Sequence, residues 1–197
     1  MGRGSGTWAR FHGRGVYPHQ LAFLLRLPFR DLVFSRKQLL RSLALNPGSV
    51  VLEIGPGPGF FSPAVAREVP HGRLELLDLQ LPMLQKARRR VRRAQLANVA
   101  FTCASAGLLP YRTDIFDVAF LVAVLGEVAL PQDCVREIAR VLRQGGRLVI
   151  AELPGDPDAL SLDTVEALTT PLGFHRMDCT PLRGGYAVTM ELAGAAT

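Results

Sequence analysis

The chain has 197 residues, and its 23 basic and 17 acidic side chains give a formal net charge of +6. This length predicts one domain with a full hydrophobic core. The longest central apolar run, residues 118–126, is too short to span a bilayer, and residues 1–15 lack the apolar segment of a secretory signal. The three cysteines have no paired spacing, which predicts neither a disulfide framework nor a zinc site. We therefore expect a cytoplasmic protein without a structural metal.

The positive charge comes almost entirely from arginine, a skew that often reflects genome composition rather than a binding surface. The densest basic run, residues 88–93, falls on a predicted helix whose apolar side carries Leu84, Ala87 and Val91. Its arginines then face solvent, and no aromatic residues interleave with them as a single-strand binding surface would require. Nucleic acid is therefore not an expected partner.

The residues before the main domain divide into a flexible lead-in, residues 1–17, and a helical cap segment, residues 18–47. A helix rich in Leu and Phe is predicted over residues 18–27, and Ser35 and Gln38 have the spacing of a capping box that begins a second helix. The first helix is apolar nearly all round, so it needs a partner. We expect it to pack against the domain or against a sister subunit in a homodimer. The alternatives are a lid over an apolar substrate pocket and contact with a membrane surface.

In residues 48–197 strands alternate with helices, which predicts a parallel sheet covered on both faces with ligands at the carboxyl ends of the strands. Gly145 and Gly146 are expected to cap the helix before the fifth strand. The last two strands form a hairpin, so the fold class is α/β: a Rossmann-like doubly wound sheet, mostly parallel with an antiparallel last strand. Strands are predicted at 49–54, 73–77, 99–103, 115–122, 147–152, 174–180 and 186–192, with the main helices ending near 68 and spanning 82–97, 131–143 and 160–171.

A glycine-rich turn follows the first strand. Gly55, Gly57 and Gly59 alternate with proline and phenylalanine and lead directly into a helix. Glycines at this spacing let the backbone turn sharply and let a ligand approach it closely, while the helix start presents free amide groups. A nucleotide-type cradle is therefore predicted. The third glycine comes one residue too early for the dinucleotide fingerprint, which disfavours a nicotinamide dehydrogenase.

Together with Glu53 in the strand, these glycines form Glu-x-Gly-x-Gly-x-Gly, which resembles motif I of the class I S-adenosylmethionine-dependent methyltransferases. The likeness covers roughly residues 45–192 and is strongest to the small-molecule group that includes the quinone-biosynthesis enzymes. It implies S-adenosylmethionine as cofactor, with Gly55, Gly57 and Gly59 forming the cradle. It also implies that the Glu53 carboxylate orders the amino-acid end of the cofactor, which would explain an acid in a buried strand.

The later strand ends carry further candidate cofactor residues. Asp78 ends the second strand, where a carboxylate matches the vicinal hydroxyls of a ribose; a helix-start acid is the alternative reading. The resemblance implies that Leu79 lines the adenine. It also aligns Ser105 and Ala106 with a Gly-Asp-Ala stretch whose aspartate holds the adenine amine, so Ser105 is a departure that weakens this contact. Leu121 is expected near the methionine end of the cofactor.

The acceptor side is less well defined by the sequence. A sulfonium methyl group is already electrophilic, so alignment and exclusion of water matter more than acid–base help. Where the acceptor must lose a proton, a base assists, and we select His19 in the cap segment and Glu127 beyond the fourth strand as catalytic candidates. Tyr17 and His175 are weaker candidates. The leucine-rich entry segment and the apolar run after the fourth strand favour a small, apolar acceptor.

Two rival functions remain open at this point. An RNA methyltransferase is suggested by the net charge and by the Glu-Ile-Gly-Pro-Gly core, but the residues after the fourth strand lack the Asn-Leu-Pro-Tyr-type box of the ribosomal-RNA dimethylases. A non-catalytic protein that keeps the fold as an interaction module is suggested by the Ser105 departure. Binding of RNA that weakens with salt would favour the first, and the absence of stabilisation by the cofactor would favour the second.

Overall fold

The computed structural model describes residues 34–153 and 155–194. The predicted helix at 18–27 and the catalytic candidate His19 lie outside these residues. Within them, no helix is both long and apolar enough to cross a membrane.

The described residues form a seven-stranded sheet in the order β3-β2-β1-β4-β5-β7-β6. Neighbouring strands are parallel from β3 to β5, whereas β7 runs antiparallel to both β5 and β6. The predicted fold class is therefore confirmed, including the closing hairpin. The strands are β1 (Val50–Ile54), β2 (Arg73–Asp78), β3 (Val99–Cys103), β4 (Phe116–Val122), β5 (Leu142–Glu152), β6 (Phe174–Leu182) and β7 (Gly185–Leu192).

Helices cover both faces of the sheet, and each face has its own apolar core because successive strand residues point to opposite sides. In β1, Val51 contributes to one core and Leu52 to the other. The first three helices cover the Val51 side and the last two the Leu52 side. The helices are α1 (Arg36–Leu43), α2 (Ser62–Glu68), α3 (Leu81–Arg93), α4 (Pro131–Val141) and α5 (Leu162–Thr169), with 3-10 turns at Leu125–Glu127 and Thr170–Leu172.

The predicted capping box at the start of α1 is present. The Ser35 hydroxyl accepts a hydrogen bond from the Gln38 amide at 3.2 Å, and the Ser35 amide donates to the Gln38 side chain at 2.9 Å. These two bonds satisfy amide groups that a helix start leaves without intrahelical partners. The helix thereby holds Leu39 and Leu43 in the core.

Two of the predicted helices end earlier than expected, and the fifth strand begins earlier for the same reason as the first of them: Leu142 already has an extended conformation. The helix predicted to reach residue 143 ends at Val141, and Gly145 and Gly146 do not cap it. They belong to β5, where Gly145 has φ +73° and the pairing with β4 shifts register. Similarly, the helix predicted to reach residue 97 ends at Arg93, because Gln95 leaves the helix with φ +56°.

Candidate active site

A cavity of about 930 Å³ opens at the carboxyl ends of the central strands. It is lined by the end of β1, the glycine turn after it, the end of β2, and the loops that follow β3, β4 and β5. The strand order reverses between β1 and β4, and open α/β sheets bind ligands in the crevice formed at such a reversal. The cavity therefore lies where open α/β sheets of this kind bind their ligands.

The glycine turn keeps side chains out of this cavity. Gly55 and Gly57 line it, with φ values of +66° and +54° that favour glycine. A Cβ atom built on Gly55 would lie 2.5 Å from Cγ2 of Val124, so only glycine lets the turn and the loop after β4 approach this closely. This is a cradle that a single methyl group would obstruct.

Gly59 has a different structural role from the other two. It does not line the cavity, and a Cβ atom on it would lie 3.0 Å from the Cα of Ala87 in α3. Its φ is +74°, and its carbonyl accepts a hydrogen bond from Arg90 at 3.2 Å. Gly59 therefore allows the segment before α2 to pack closely against α3, and it lies outside the cavity that its two neighbouring glycines line.

Asp78 ties the end of β2 to the glycine turn. Its Oδ2 accepts a hydrogen bond from the Gly57 amide at 3.2 Å and its Oδ1 accepts one from the Gln80 amide at 2.8 Å. Burial raises the pKa of this carboxyl, and the two amide bonds offset part of that rise. Since each carboxylate oxygen can accept more than one bond, both can still receive the hydroxyls of a vicinal diol.

Glu53 lies in the wall of the same cavity. It is only 3% exposed and sits in β1 between Leu76 of β2 and Phe120 of β4. An acid at the centre of a sheet is costly to bury unless polar groups or a ligand compensate it. It lies two residues before Gly55, so its carboxyl group is next to the cradle.

The remaining predicted residues divide between cavity and core. Leu79, Ser105, Ala106 and Glu127 line the cavity. Leu121 does not, because strand side chains alternate: its neighbours Phe120 and Val122 face the cavity, while Leu121 is fully buried in the core beneath α4. Counting the period of two from Val118 could have identified the correct neighbours.

Ser105 lies in a short turn after β3. Its hydroxyl accepts a hydrogen bond from the Gly107 amide at 3.3 Å, so the side chain also shapes its own loop. Because the hydroxyl is uncharged and short, any bond it makes to a ligand amine is weaker than one from a carboxylate.

Sequence reasoning missed several residues of the wall. The side chains of Phe60, Phe61, Met83, Val124 and Val128 make one region apolar, and Asp156 adds an acid from the loop after β5. The phenylalanines directly follow the glycine turn, which is a signal that could have been used. Asp156 gives no such signal, since it reaches the cavity from a loop distant in sequence.

Glu152, the last residue of β5, lies behind this part of the wall. It is 2% exposed, and burial together with the nearby carboxyls of Asp156 and Glu127 raises its pKa to about 8, with a smaller opposing effect from the Leu160 amide. Within residues 34–153 and 155–194, neither of its carboxyl oxygens accepts a hydrogen bond of good geometry, although the Leu160 amide is close enough to affect its pKa.

The fold and site define a class of protein: a Rossmann-like α/β protein that holds a nucleoside-containing ligand at the reversal of its sheet. The methyltransferase domain family matches residues 52–150, half of the chain, and the chain belongs to that family. The resemblance to the class I S-adenosylmethionine-dependent methyltransferases is thereby confirmed, and S-adenosylmethionine is the cofactor of that class.

Several proteins that are similar in sequence to this chain are named as methyltransferases. A ubiquinone/menaquinone biosynthesis C-methyltransferase from Ruegeria sp. is 35% identical over 118 residues, which cover 58% of this chain and 47% of that protein. An arsenite methyltransferase from Halobacterium salinarum is 29% identical over 157 residues, covering 70% and 40% respectively. The chain thus spans about half the length of the curated relatives it matches.

Solved structures share the fold at low sequence identity. A methyltransferase from Aquifex aeolicus has a TM-score of 0.84 and 21% identity, with 90% of this chain and 100% of that chain covered. The [4+2]-cyclase SpnF has a TM-score of 0.73 and 19% identity, covering 93% and 87%. The second case illustrates that this fold alone does not determine the reaction.

Proposed function

We propose that the chain is an S-adenosylmethionine-dependent methyltransferase acting on a small acceptor with an apolar body. The observation that carries this proposal is the cradle at the sheet reversal, where Gly55 leaves room that a Cβ atom would fill and Asp78 presents two acceptor oxygens. A ligand with a ribose and a charged amino-acid group matches this combination of a diol acceptor and an open, backbone-lined turn.

Different residues of this chain would bind different parts of S-adenosylmethionine. Glu53, Gly55 and Gly57 would hold the amino-acid end of S-adenosylmethionine, and Asp78 its ribose hydroxyls. Leu79 and Ala106 would pack on the adenine, and the Ser105 hydroxyl would accept from its amine. When bound, the cofactor supplies an electrophilic methyl group. We refer to Glu53, Gly55, Gly57 and Asp78 as the cofactor end of the cavity.

The opposite side of the cavity would take the acceptor. Phe60, Phe61, Val124 and Val128 surround this space with apolar groups that exclude water and fit an apolar body. Glu127 lies in the same wall and is our candidate for the group that contacts a polar atom of the acceptor. The names of the relatives, which include enzymes of quinone biosynthesis and arsenite methylation, agree with a small acceptor rather than a macromolecule.

The test is transfer of an isotopically labelled methyl group from S-adenosylmethionine into a cell extract that is then fractionated. We expect the label in low-molecular-weight material, and we expect Gly55→Ala to abolish it. Label that enters RNA and is lost on ribonuclease treatment would instead support an RNA methyltransferase. Binding of the cofactor with no transfer into any fraction would contradict the catalytic proposal.

A further inference from the structure

The loop after β3 contributes to the cavity wall although it contains neither a helix nor a strand. It runs from residue 104 to residue 115, and Ala104, Ser105 and Ala106 line the cavity. Loops of this kind place binding residues accurately only when a rigid part of the protein holds them. Since this loop is the part of the chain that would contact the adenine, the groups that hold it bear on cofactor binding.

Glu137 and Arg140 of α4 hold the middle of this loop by its backbone. The Leu109 amide donates a hydrogen bond to Oε2 of Glu137 at 2.8 Å. Nη2 of Arg140 donates to the Leu109 carbonyl at 3.0 Å, and Nη1 donates to the Tyr111 carbonyl at 2.8 Å. Neither Glu137 nor Arg140 lines the cavity, so any effect that they have on a ligand passes through the loop.

The two side chains also fix each other. Nε and Nη2 of Arg140 each donate to a different carboxylate oxygen of Glu137 at 2.7 Å, which is a bidentate ion pair. The bonds from Arg140 and from the Leu109 amide hold the pKa of the Glu137 carboxyl below its usual range, although burial opposes them. The planar guanidinium thus serves one carboxylate and two carbonyls at once, which a lysine ammonium could not do with the same geometry.

A short turn connects this anchor to the cavity wall. Leu109 is 3% exposed and belongs to the apolar core beneath α4. The amide of the preceding residue, Leu108, donates to the Ser105 carbonyl at 3.2 Å, and the Gly107 amide donates to the Ser105 hydroxyl at 3.3 Å. The position of Ser105 is therefore tied to that of Leu109 through one turn of chain.

The same helix carries a second ion pair that lacks these contacts. Asp133 and Arg136 have the same three-residue spacing as Glu137 and Arg140. The Arg136 side chain is 62% exposed, against 34% for Arg140, and it donates to Asp133 rather than to the loop backbone. This second pair is a matched control for the first.

We propose that Glu137 and Arg140 are positioning residues which, by fixing the loop after β3, set the affinity and the selectivity of the cavity for adenine. This inference rests on the proposed function, since it concerns the adenine part of the same site. A loop that is already held in its binding conformation costs less to order when the ligand binds. It also keeps Ser105 and Ala106 in one arrangement, so a base with another pattern of donors and acceptors meets unpaired polar groups.

The experiment compares two ligands by calorimetric titration of the full-length protein near neutral pH. They are S-adenosylhomocysteine and S-inosylhomocysteine, in which hypoxanthine replaces adenine. Hypoxanthine has an oxo group in place of the amine and a hydrogen on the adjacent ring nitrogen, so donor and acceptor exchange places. We expect the wild-type protein to bind the adenine compound about tenfold or more tightly. Equal affinities in the wild type would overturn the inference.

Substitutions in the two ion pairs then locate the effect. Arg140→Gln should lower the affinity for S-adenosylhomocysteine by about tenfold or more and narrow the preference for adenine to less than about threefold. Glu137→Gln keeps an acceptor for the Leu109 amide but loses the charge, so it should give a smaller loss, and it serves as the test if Arg140→Gln does not fold. Arg136→Gln, the control, should change the affinity and the preference by less than about twofold.

Hydrogen exchange separates positioning from a general loss of stability. In Arg140→Gln, amide exchange should become faster in residues 104–111, remain as in the wild type in residues 50–57, and slow again in residues 104–111 when S-adenosylhomocysteine binds. A looser loop with unchanged binding of both ligands would show that the ion pair is only structural. Faster exchange throughout the sheet with an equal loss for both ligands would show general destabilisation. Either result would overturn the inference.

The two proposals fail in different ways. If the wild-type protein does not bind S-adenosylhomocysteine, the proposed function is wrong. If it does, and Arg140→Gln binds both ligands as the wild type does, only the positioning role is wrong. A lower affinity with the full preference for adenine retained would contradict the role in selectivity.

Discussion

The two ends of the cavity are built from different kinds of sequence. The cofactor end comes from short contiguous stretches, in which Glu53, Gly55 and Gly57 lie within five residues and Asp78 ends the adjacent strand. The opposite side of the cavity, which would take the acceptor, includes Glu127 and Asp156 from two loops whose proximity depends on the strand order and on Gly126. The first end is a local motif, whereas the second exists only in the folded chain.

This difference predicts different sensitivities. At the cofactor end, backbone conformation and amide hydrogen bonds shape the site, so substitutions there should affect folding and cofactor binding together. On the opposite side, side chains on two loops line the cavity, so substitutions there should change acceptor selectivity more than folding. Separate measurement of unfolding and of ligand affinity distinguishes the two.

The largest effect is expected from Asp78→Ala. The substitution removes the acceptor of two amide hydrogen bonds, leaving the amides of Gly57 and Gln80 partly buried without it. We expect a loss of about 1–3 kcal/mol in the free energy of unfolding and about 100-fold or more in affinity for S-adenosylhomocysteine. Denaturant unfolding and calorimetric titration measure the two effects, with Asp163→Asn as control. Cofactor affinity within a few-fold of wild type would show that Asp78 does not bind the cofactor.

The glycine turn offers a sharper comparison between two similar substitutions. Gly55→Ala and Gly59→Ala both place a side chain at positive φ, which costs about 1–2 kcal/mol. Only the first, however, forces a methyl group against Val124 in the cavity wall; the second meets Ala87 in α3. We expect both variants to be less stable, but only Gly55→Ala to lose about tenfold or more in cofactor affinity. Titrations at a temperature where both remain folded check this, and equal losses in the two variants would contradict the separate roles.

The raised pKa of the buried Glu152 carboxyl predicts a pH dependence of stability. Its folded pKa of about 8 lies above the ordinary value of 4.5, so the folded chain binds the extra proton between these values. The stability it contributes is fully present below about pH 4.5 and is lost as the pH rises through about 8. Glu152→Gln mimics the neutral form. At pH 8.5 its free energy of unfolding, measured with denaturant, should exceed that of the wild type by roughly 2–5 kcal/mol. The difference should shrink at pH 5.5. A constant difference across this range would show that Glu152 does not titrate as proposed.

The smallest effect concerns the departure at Ser105. Ser105→Asp supplies a charged acceptor where the hydroxyl is weak, and a short acidic side chain can still accept the bond from the Gly107 amide. We expect cofactor affinity to rise by about three- to tenfold. Ser105→Asn is the neutral control of the same size and should change affinity less. If the aspartate variant binds no more tightly than the asparagine variant, Ser105 does not contact the adenine amine.

Much of the fold could be predicted from the sequence because the alternation of apolar strands and amphipathic helices is local. The order of elements, the closing hairpin and the capping box at Ser35 were all accessible in this way. The helix predicted to reach residue 97 ends early because Gln95 has a positive φ, and the helix predicted to reach residue 143 ends early because Leu142 is already extended. Residue type alone determines neither conformation.

The candidate site was predictable to the extent that it is contiguous. The acid near the end of β1, the glycines after that strand and the acid that ends β2 predict a cradle, since all of them lie at strand ends that the sequence itself indicates. Gly59 and Leu121 were predicted beside the cofactor, but helix packing and strand alternation turn both of them away from the cavity. Asp156 and Glu152 could not be identified, because their proximity to Glu127 is created by the pairing of β4 with β5.

The most direct test of the account is a calorimetric titration of the wild-type chain with S-adenosylhomocysteine, with NAD in parallel. The account predicts saturable binding of S-adenosylhomocysteine at one site, no binding of NAD, and binding weakened about tenfold or more in Gly55→Ala. At about 100 times the dissociation constant, the ligand should stabilise the folded protein by about 2.7 kcal/mol. A wild-type chain that binds neither ligand, or that binds NAD instead, would contradict the assignment of the cavity as an S-adenosylmethionine site.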